Sequence, residues 1–340
     1  MKHTDLMEVV VRNLVRTGRR RRSALQAEPS QGQVVRIMRG YALHTRAFAA
    51  AENVYQERQI VQLARAVAVQ ERHDGSLIAG PTALLTHGID HWQAERLPIY
   101  LQVDHANPYN KDLFTHVTTP RSNHIPAVPL KLTILGRARQ TTQLQAGVPC
   151  VDPLTAGVQS VRLLPDECGF VAFMMATQAV VRTDRWDLEA TRSRLAQLQE
   201  VCLEECWELP RRARGRARYF TASRHMAHPM DSVFEARMAW LLCTAGLDEY
   251  VTQYEMRVAG ARYFLDFAFP EFQVAVEPDG RAKFGVTLQE VHEAREALEY
   301  RREAIERAGW IVVRVAWGEL AVSQALEGRI RSALARAGRR

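Results

Sequence analysis

No apolar run in this 340-residue chain approaches the roughly 20 residues that a bilayer-crossing helix requires. A globular protein with no membrane partner is therefore expected. The opening segment MKHTDLMEVVVRNLVRTGRRRR places its basic cluster after its apolar part, the reverse of a secretory leader, so a cytoplasmic location is expected. Paired cysteines are also missing. The five present (Cys150, Cys168, Cys202, Cys206 and Cys243) are odd in number, scattered and free of any Cys-x-x-Cys pattern, which argues against a disulfide scaffold or a thiol-paired metal centre. Cys202 and Cys206 lie four apart on a predicted helix, a spacing that reads as packing. Lysine is scarce as well, and the positive charge is carried almost entirely by arginine.

Net charge is +7 and the sequence pI about 9.4. Arginine concentrates at Arg19, Arg20, Arg21 and Arg22, and again in RRARGRAR, which contains Arg211, Arg212 and Arg214. Guanidinium groups bind phosphates in a bidentate fashion, so a polyanion, with nucleic acid ahead of membrane, is the expected partner. A merely solvated basic face is the competing reading.

Along the chain, residues 5–20 read as a helix, and QVVRIMRGYAL as two short strands bent at Arg39-Gly40, with Arg36 and Arg39 on them. A helix followed by a basic two-stranded wing is half of a winged-helix DNA-binding unit, with residues 20–27 left to supply a recognition helix. Residues 49–73 form an amphipathic helix stopped by Asp74-Gly75. His87 and His91 stand four apart, which allows zinc chelation, but no third ligand is nearby and packing is the better reading. Residues 97–151 are strand-rich and broken by prolines. Helices are then predicted from Asp152, from Asp166 and from Glu189, followed by an arginine-rich stretch with Tyr219 and Phe220. This gives a helical, winged-helix-like DNA-binding region at 1–75, a central α+β region at 76–209, a basic linker at 210–230 and a C-terminal domain at 231–340. The overall class is α/β, or α+β taken over the whole chain.

In the C-terminal domain, Asp231-Ser232 caps a helix carrying Glu235, and YFLDFAFPEFQVAVEPDG forms two strands joined by a Pro-Glu turn. Period-two alternation sets Glu277 and Asp279 on one face and Val274 and Val276 on the other. Asp266, Glu277 and Asp279 thus converge where two strands meet. Like charges gathered in one patch are costly unless a cation is present, and a divalent metal is the expected answer. The predicted order is helix, strand, strand, helix, strand, helix.

The segments DSVFEAR, GARYFLDFAFPEFQVAVEPDG and RREAIERAGWIVVRVAW together resemble the small nuclease-like domains related to the very-short-patch mismatch repair endonuclease, within the PD-(D/E)xK, restriction-endonuclease-like superfamily. The resemblance spans about residues 228–338. It implies a restriction-endonuclease-like α/β fold in which Glu235 and Asp266 match acidic motif positions, Glu277 and Asp279 form the Glu-x-Asp-Gly element, and Arg302 and Gly309-Trp310 fall on the later helix and strand. It further implies that Asp266 and Glu277, helped by Glu235, hold Mg2+ or Mn2+, with Lys283 orienting water. Two departures stand out. Asp279 occupies the place of the superfamily lysine, and Lys283 stands where members commonly have histidine. Pro278 also removes a ladder donor between the acids.

GQVVRIMRGYAL, IAGPTALLTHGI and AGVPCVDPLTAGVQSVRLL resemble AbiEi-type antitoxins, which implies operator binding through a winged helix and a cognate toxin. Two functions follow. One is a metal-dependent endonuclease or nickase acting on double-stranded DNA. The other is an antitoxin-like transcriptional regulator whose nuclease fold is inactive.

Overall fold

The computed structural model describes residues 3–17, 33–104, 114–134, 142–258, 260–279 and 288–338. It is a mixed α+β protein. Chain contacts divide it into two compact units, one comprising 1–180 with 211–219 and the other 181–210 with 220–340. Among the described residues no helix is long and apolar enough to cross a membrane.

In the first unit, helix α1 (His3–Asn13) runs directly into strand β1 (Leu14–Arg16). The helix expected to continue to residue 20 therefore ends early. Leu14, Val15 and Arg16 pair antiparallel with β3 (Tyr41–His44), so tertiary pairing overrides the local helical pattern. Strand β2 (Val34–Met38) pairs with the other side of β3, giving the order β1-β3-β2. The turn between β2 and β3 passes through Gly40 at φ 89, a conformation that glycine adopts without steric cost. Arg36 and Arg39 are exposed on this hairpin. Residues 18–32, including Arg19 to Arg22 and the recognition-helix segment, lie outside the described residues.

Helix α2 (Val54–Arg72) is capped by Asn53, whose side chain accepts from the Gln56 backbone N–H. It buries two charged residues. The Arg65 guanidinium donates to the carbonyls of Thr115 and Pro126 at 2.9 and 2.8 Å. Glu57 accepts from the Thr119 hydroxyl, from the Arg121 backbone at 3.0 Å and from its guanidinium at 3.2 Å. Together they fasten the hairpin β6 (Val117–Thr119) and β7 (Ser122–Ile125) to the helix.

A five-stranded sheet runs in the order β8 (Leu130–Thr133), β5 (Ile99–Gln102), β4 (Leu77–Ile78), β10 (Val148–Val151) and β9 (Thr142–Gln145). Helix α3 (Gly80–Thr86) packs against β5 and β10, α4 (Pro153–Leu163) packs against α3, and the largely apolar α5 (Asp166–Val181) follows. His87 is held by the Val151 carbonyl at 2.8 Å and by the Gln145 amide at 2.9 Å, while His91 is buried. Both histidines act as packing residues.

The second unit contains α6 (Leu188–Glu208), α8 (Val233–Thr244) and a four-stranded sheet ordered β11-β12-β13-β14. Strands β11 (Val251–Val258), β12 (Ala261–Phe269) and β13 (Val274–Asp279) form an antiparallel meander, while β14 (Ile311–Ala316) runs parallel to β13. A parallel neighbour needs a crossover, and α9 (Leu288–Arg307) supplies it before α10 (Ser323–Ala337) closes the chain. Strand β11 was absent from the predicted order. The stretch read as a basic linker contains helix α7 (Arg216–His225).

Candidate active site

Glu235 enters from the first turn of α8. Ser232, in extended backbone, accepts from the Glu235 N–H at 3.2 Å and donates its hydroxyl to Glu235 Oε1 at 2.7 Å. Glu235 Oε2 accepts from the Asp231 N–H at 3.0 Å. This is a capping box whose carboxylate reaches one residue further back than usual. Glu235 therefore stabilises the start of its own helix whatever else it does.

Asp266 and Glu277 arrive on neighbouring strands at the point where those strands part. Strands β12 and β13 pair at Phe269–Val274, Ala268–Ala275 and Phe267–Val276, and the ladder stops there. One step further, the Asp266 N–H, which has lost its ladder carbonyl, is met by Glu277 Oε1 at 3.4 Å. The same parting explains how Pro278 is tolerated. Its missing N–H falls beyond the last β12 pair, while β13 continues alongside β14 through Pro278–Val315 and Asp279–Ala316.

Two further residues complete the group. Gln253 stands on β11, and its amide Nε2 lies 3.3 Å from Glu235 Oε2 and 3.4 Å from Asp266 Oδ1. Its backbone is at φ 48 in the middle of a strand. Such a conformation costs a non-glycine residue roughly 1–3 kcal/mol and persists only where the surroundings hold it. On α9, Arg301 Nη2 lies 2.9 and 3.2 Å from the two Glu277 oxygens and donates to the Phe264 carbonyl at 2.5 Å.

The electrostatics follow from burial. Glu235 and Glu277 are each pushed up to about 7, first because burial disfavours the charged form and then because the Asp266 carboxylate is nearby. The cap donors partly offset this at Glu235, and Arg301 does so at Glu277.

Of the residues singled out from sequence, the structure thus sets Asp266 beside Glu277 and links it to Glu235 through Gln253. Asp279 ends β13 half-buried, opposite Ala316. Arg302 is engaged with Glu299 at 3.5 Å and Glu306 at 3.3 Å along α9, and the guanidinium that reaches Glu277 is that of its neighbour Arg301. Lys283 lies outside the described residues. Arg211, Arg212 and Arg214 are exposed. Gln253 and Arg301 were missed. The first had a signal in the alternation of Tyr254, Met256 and Val258, which marks a strand ending opposite β12. The second is one of two adjacent arginines that a helical pattern does not tell apart.

Hard oxygen donors and an excess of buried acid over base suit a magnesium or manganese ion. Among the described residues no three of His, Cys, Asp or Glu gather around a single point. Asp266 and Glu277, which meet where β12 and β13 part, are the residues that could hold such an ion, and Glu235 is linked to Asp266 through the Gln253 amide. One or two carboxylates are the usual protein contribution to a magnesium site. Compared with known proteins, the chain matches no family model, no curated protein and no solved structure.

Proposed function

We propose that the second unit is a metal-dependent, restriction-endonuclease-like domain that hydrolyses or nicks the phosphodiester backbone of double-stranded DNA. The observation that carries this reading is the meeting of Asp266 and Glu277 where β12 and β13 part, with Glu235 tied to Asp266 through the Gln253 amide. Burial first, and the Asp266 carboxylate second, raise the proton affinity of both glutamates. A divalent ion would supply Lewis-acid polarisation of a phosphoryl oxygen. Asp266 and Glu277 would hold that ion. Glu235, with its affinity for protons raised into the working range, is a suitable acceptor for the nucleophile's proton. Gln253 holds the Glu235 and Asp266 carboxylates in a fixed relation, and Lys283 takes the water-orienting part of the superfamily lysine. The exposed arginines of the β2–β3 hairpin and of residues 211–214 give the DNA-binding charge.

A second reading is supported by the Arg301–Glu277 ion pair, which neutralises a metal ligand from within the protein, and by an aspartate at the lysine position. On this reading the chain is an AbiEi-like antitoxin and transcriptional regulator with a catalytically inactive nuclease fold and a cognate toxin.

Incubation of supercoiled plasmid with the purified chain and magnesium or manganese separates the two. Nicking that disappears in the Asp266→Ala/Glu277→Ala double variant supports the enzyme. Intact plasmid, or equal cutting by the double variant, removes it.

A further inference from the structure

We propose that Trp186, Phe264, Arg185 and Arg262 form a stacking site for the bases of single-stranded DNA on the sheet that carries Asp266. Trp186 is 73% exposed, and its ring meets the buried Phe264 edge-on with centroids 6.3 Å apart, so that Phe264 backs the tryptophan and Trp186 alone offers a face to a ligand. Two guanidiniums flank the pair. Arg185 lies 5.6 Å from the Trp186 ring and 5.9 Å from Phe264, and Arg262 lies 5.9 Å from Trp186 and 4.8 Å from Phe264.

The loop that carries Trp186 is tied down. The Trp186 N–H donates to Asp184 Oδ1 at 2.8 Å, and the Asp184 N–H donates to the Thr191 hydroxyl oxygen at 3.1 Å. Arg194 Nε donates to the Val181 carbonyl at 3.0 Å, while Asp187 caps α6. Arg192 then binds the carbonyls of Thr252 and Gln253 at 2.9 and 3.3 Å, fixing α6 to β11. The backbone is thus held so that a large apolar ring stays in water, although burying it would be favourable.

A pre-positioned aromatic face between two cations suits a ligand with flat π-faces and a regularly spaced negative charge. Unpaired bases on a phosphate backbone have both, and stacking is indifferent to sequence because every base offers a face. Arg262, Phe264 and Asp266 alternate along β12 and so project to one side, Phe264 about 7 Å from Asp266 by strand rise. A strand stacked on Trp186, which the buried Phe264 backs, would bring its neighbouring phosphate toward the acids. In a closed duplex the base faces are covered by their neighbours, and that substrate cannot use the site.

The choice of DNA rests on the nuclease reading, whereas the stacking site itself stands on its own geometry. The test is fluorescence anisotropy with the full chain in EDTA, using labelled oligothymidine and a blunt duplex as probes. Trp186→Ala should weaken single-strand binding by about tenfold, the scale of one base–aromatic stack, and leave duplex binding unchanged, while Trp186→Phe retains most of the affinity. Arg262→Gln should also weaken single-strand binding, through a residue on a different element. Single-strand affinity that is absent in the parent, unaltered by Trp186→Ala and Arg262→Gln, or lost in step with duplex affinity would overturn the proposal. Plasmid nicking is scored separately. Trp186-dependent binding without nicking would defeat the nuclease reading alone, and nicking without that dependence would defeat this inference alone.

Discussion

Gln253 stands across the β11–β12 ladder from Asp266, its backbone forced to φ 48 and its amide 3.4 Å from the Asp266 carboxylate. The twist turns its side chain into the acid cluster, where the Glu235 carboxylate is also within 3.3 Å. Because the strain belongs to the backbone and the bonds to the side chain, the two can be separated. Gln253→Ala keeps the strain and loses the bonds, whereas Gln253→Gly loses both. The glycine variant should be the more stable by roughly 1 kcal/mol, as read by urea denaturation. Equal stability would show that no strain is stored there.

The shared proton affinity of Glu235 and Glu277 sets a pH dependence with a definite sign. Both carboxyls rise from an ordinary glutamate's 4.5 to about 7 in the folded protein, so between those values the native state binds more protons than the unfolded one. Stability must therefore fall as pH rises through that window. Asp266→Asn removes the charge that helps hold both values up and should flatten the slope. Thermal melts in EDTA at pH 5 to 7.5 give the comparison, and parallel slopes for the two proteins would rule the coupling out.

Arg65 is wholly buried and answers two carbonyls of the segment it anchors. Burial alone lowers its proton affinity to about 10, and it remains charged at neutral pH. Arg65→Met fills part of the space but strands both carbonyls. A loss of roughly 3 kcal/mol is expected from the unsatisfied acceptors, together with faster amide hydrogen exchange across Val117 to Ile125.

Gly215 packs against helix α4 with a Cβ-sized gap already closed. A methyl group there would sit 2.6 Å from the Arg162 Cα, and the residue is at φ +72. The contact brings Arg162 Nε to the Arg214 carbonyl at 3.1 Å and lets Arg218 reach the carbonyls of Arg162 and Leu164. Gly215→Ala should cost about 2 kcal/mol through overpacking and the left-handed conformation, with a lowered melting temperature as the readout.

The exposed Arg211 and Arg212 are not bound up in that contact, and DNA affinity offers a direct reading of their role. Each arginine that neutralises one phosphate should lower the slope of log K against log salt by about one when changed to glutamine. A slope unaltered in the double variant would assign these residues to a solvated face.

Much of this protein was legible residue by residue because the signals are local. Alternation marked β12 and β13, Ser232 marked the start of α8, and Gly40 marked the turn between β2 and β3. The acids Asp266 and Glu277 could be proposed as neighbours because a short Pro-Glu turn leaves two strands little choice but to pair. Local signals failed where the partner was distant. Residues Leu14 to Arg16 continue a helical pattern, yet they join β3 because Tyr41 to Leu43 offer an unpaired edge that no property of α1 announces. Only the tertiary structure decided that the β12–β13 ladder stops at Asp266, leaving its N–H to Glu277. It alone chose Arg301 over Arg302, brought Gln253 between Glu235 and Asp266, and set Trp186 above Phe264. The types of residue available for chemistry were written in the chain, but their proton affinities depend on burial and on charges brought together from four separate elements, which is a property of packing.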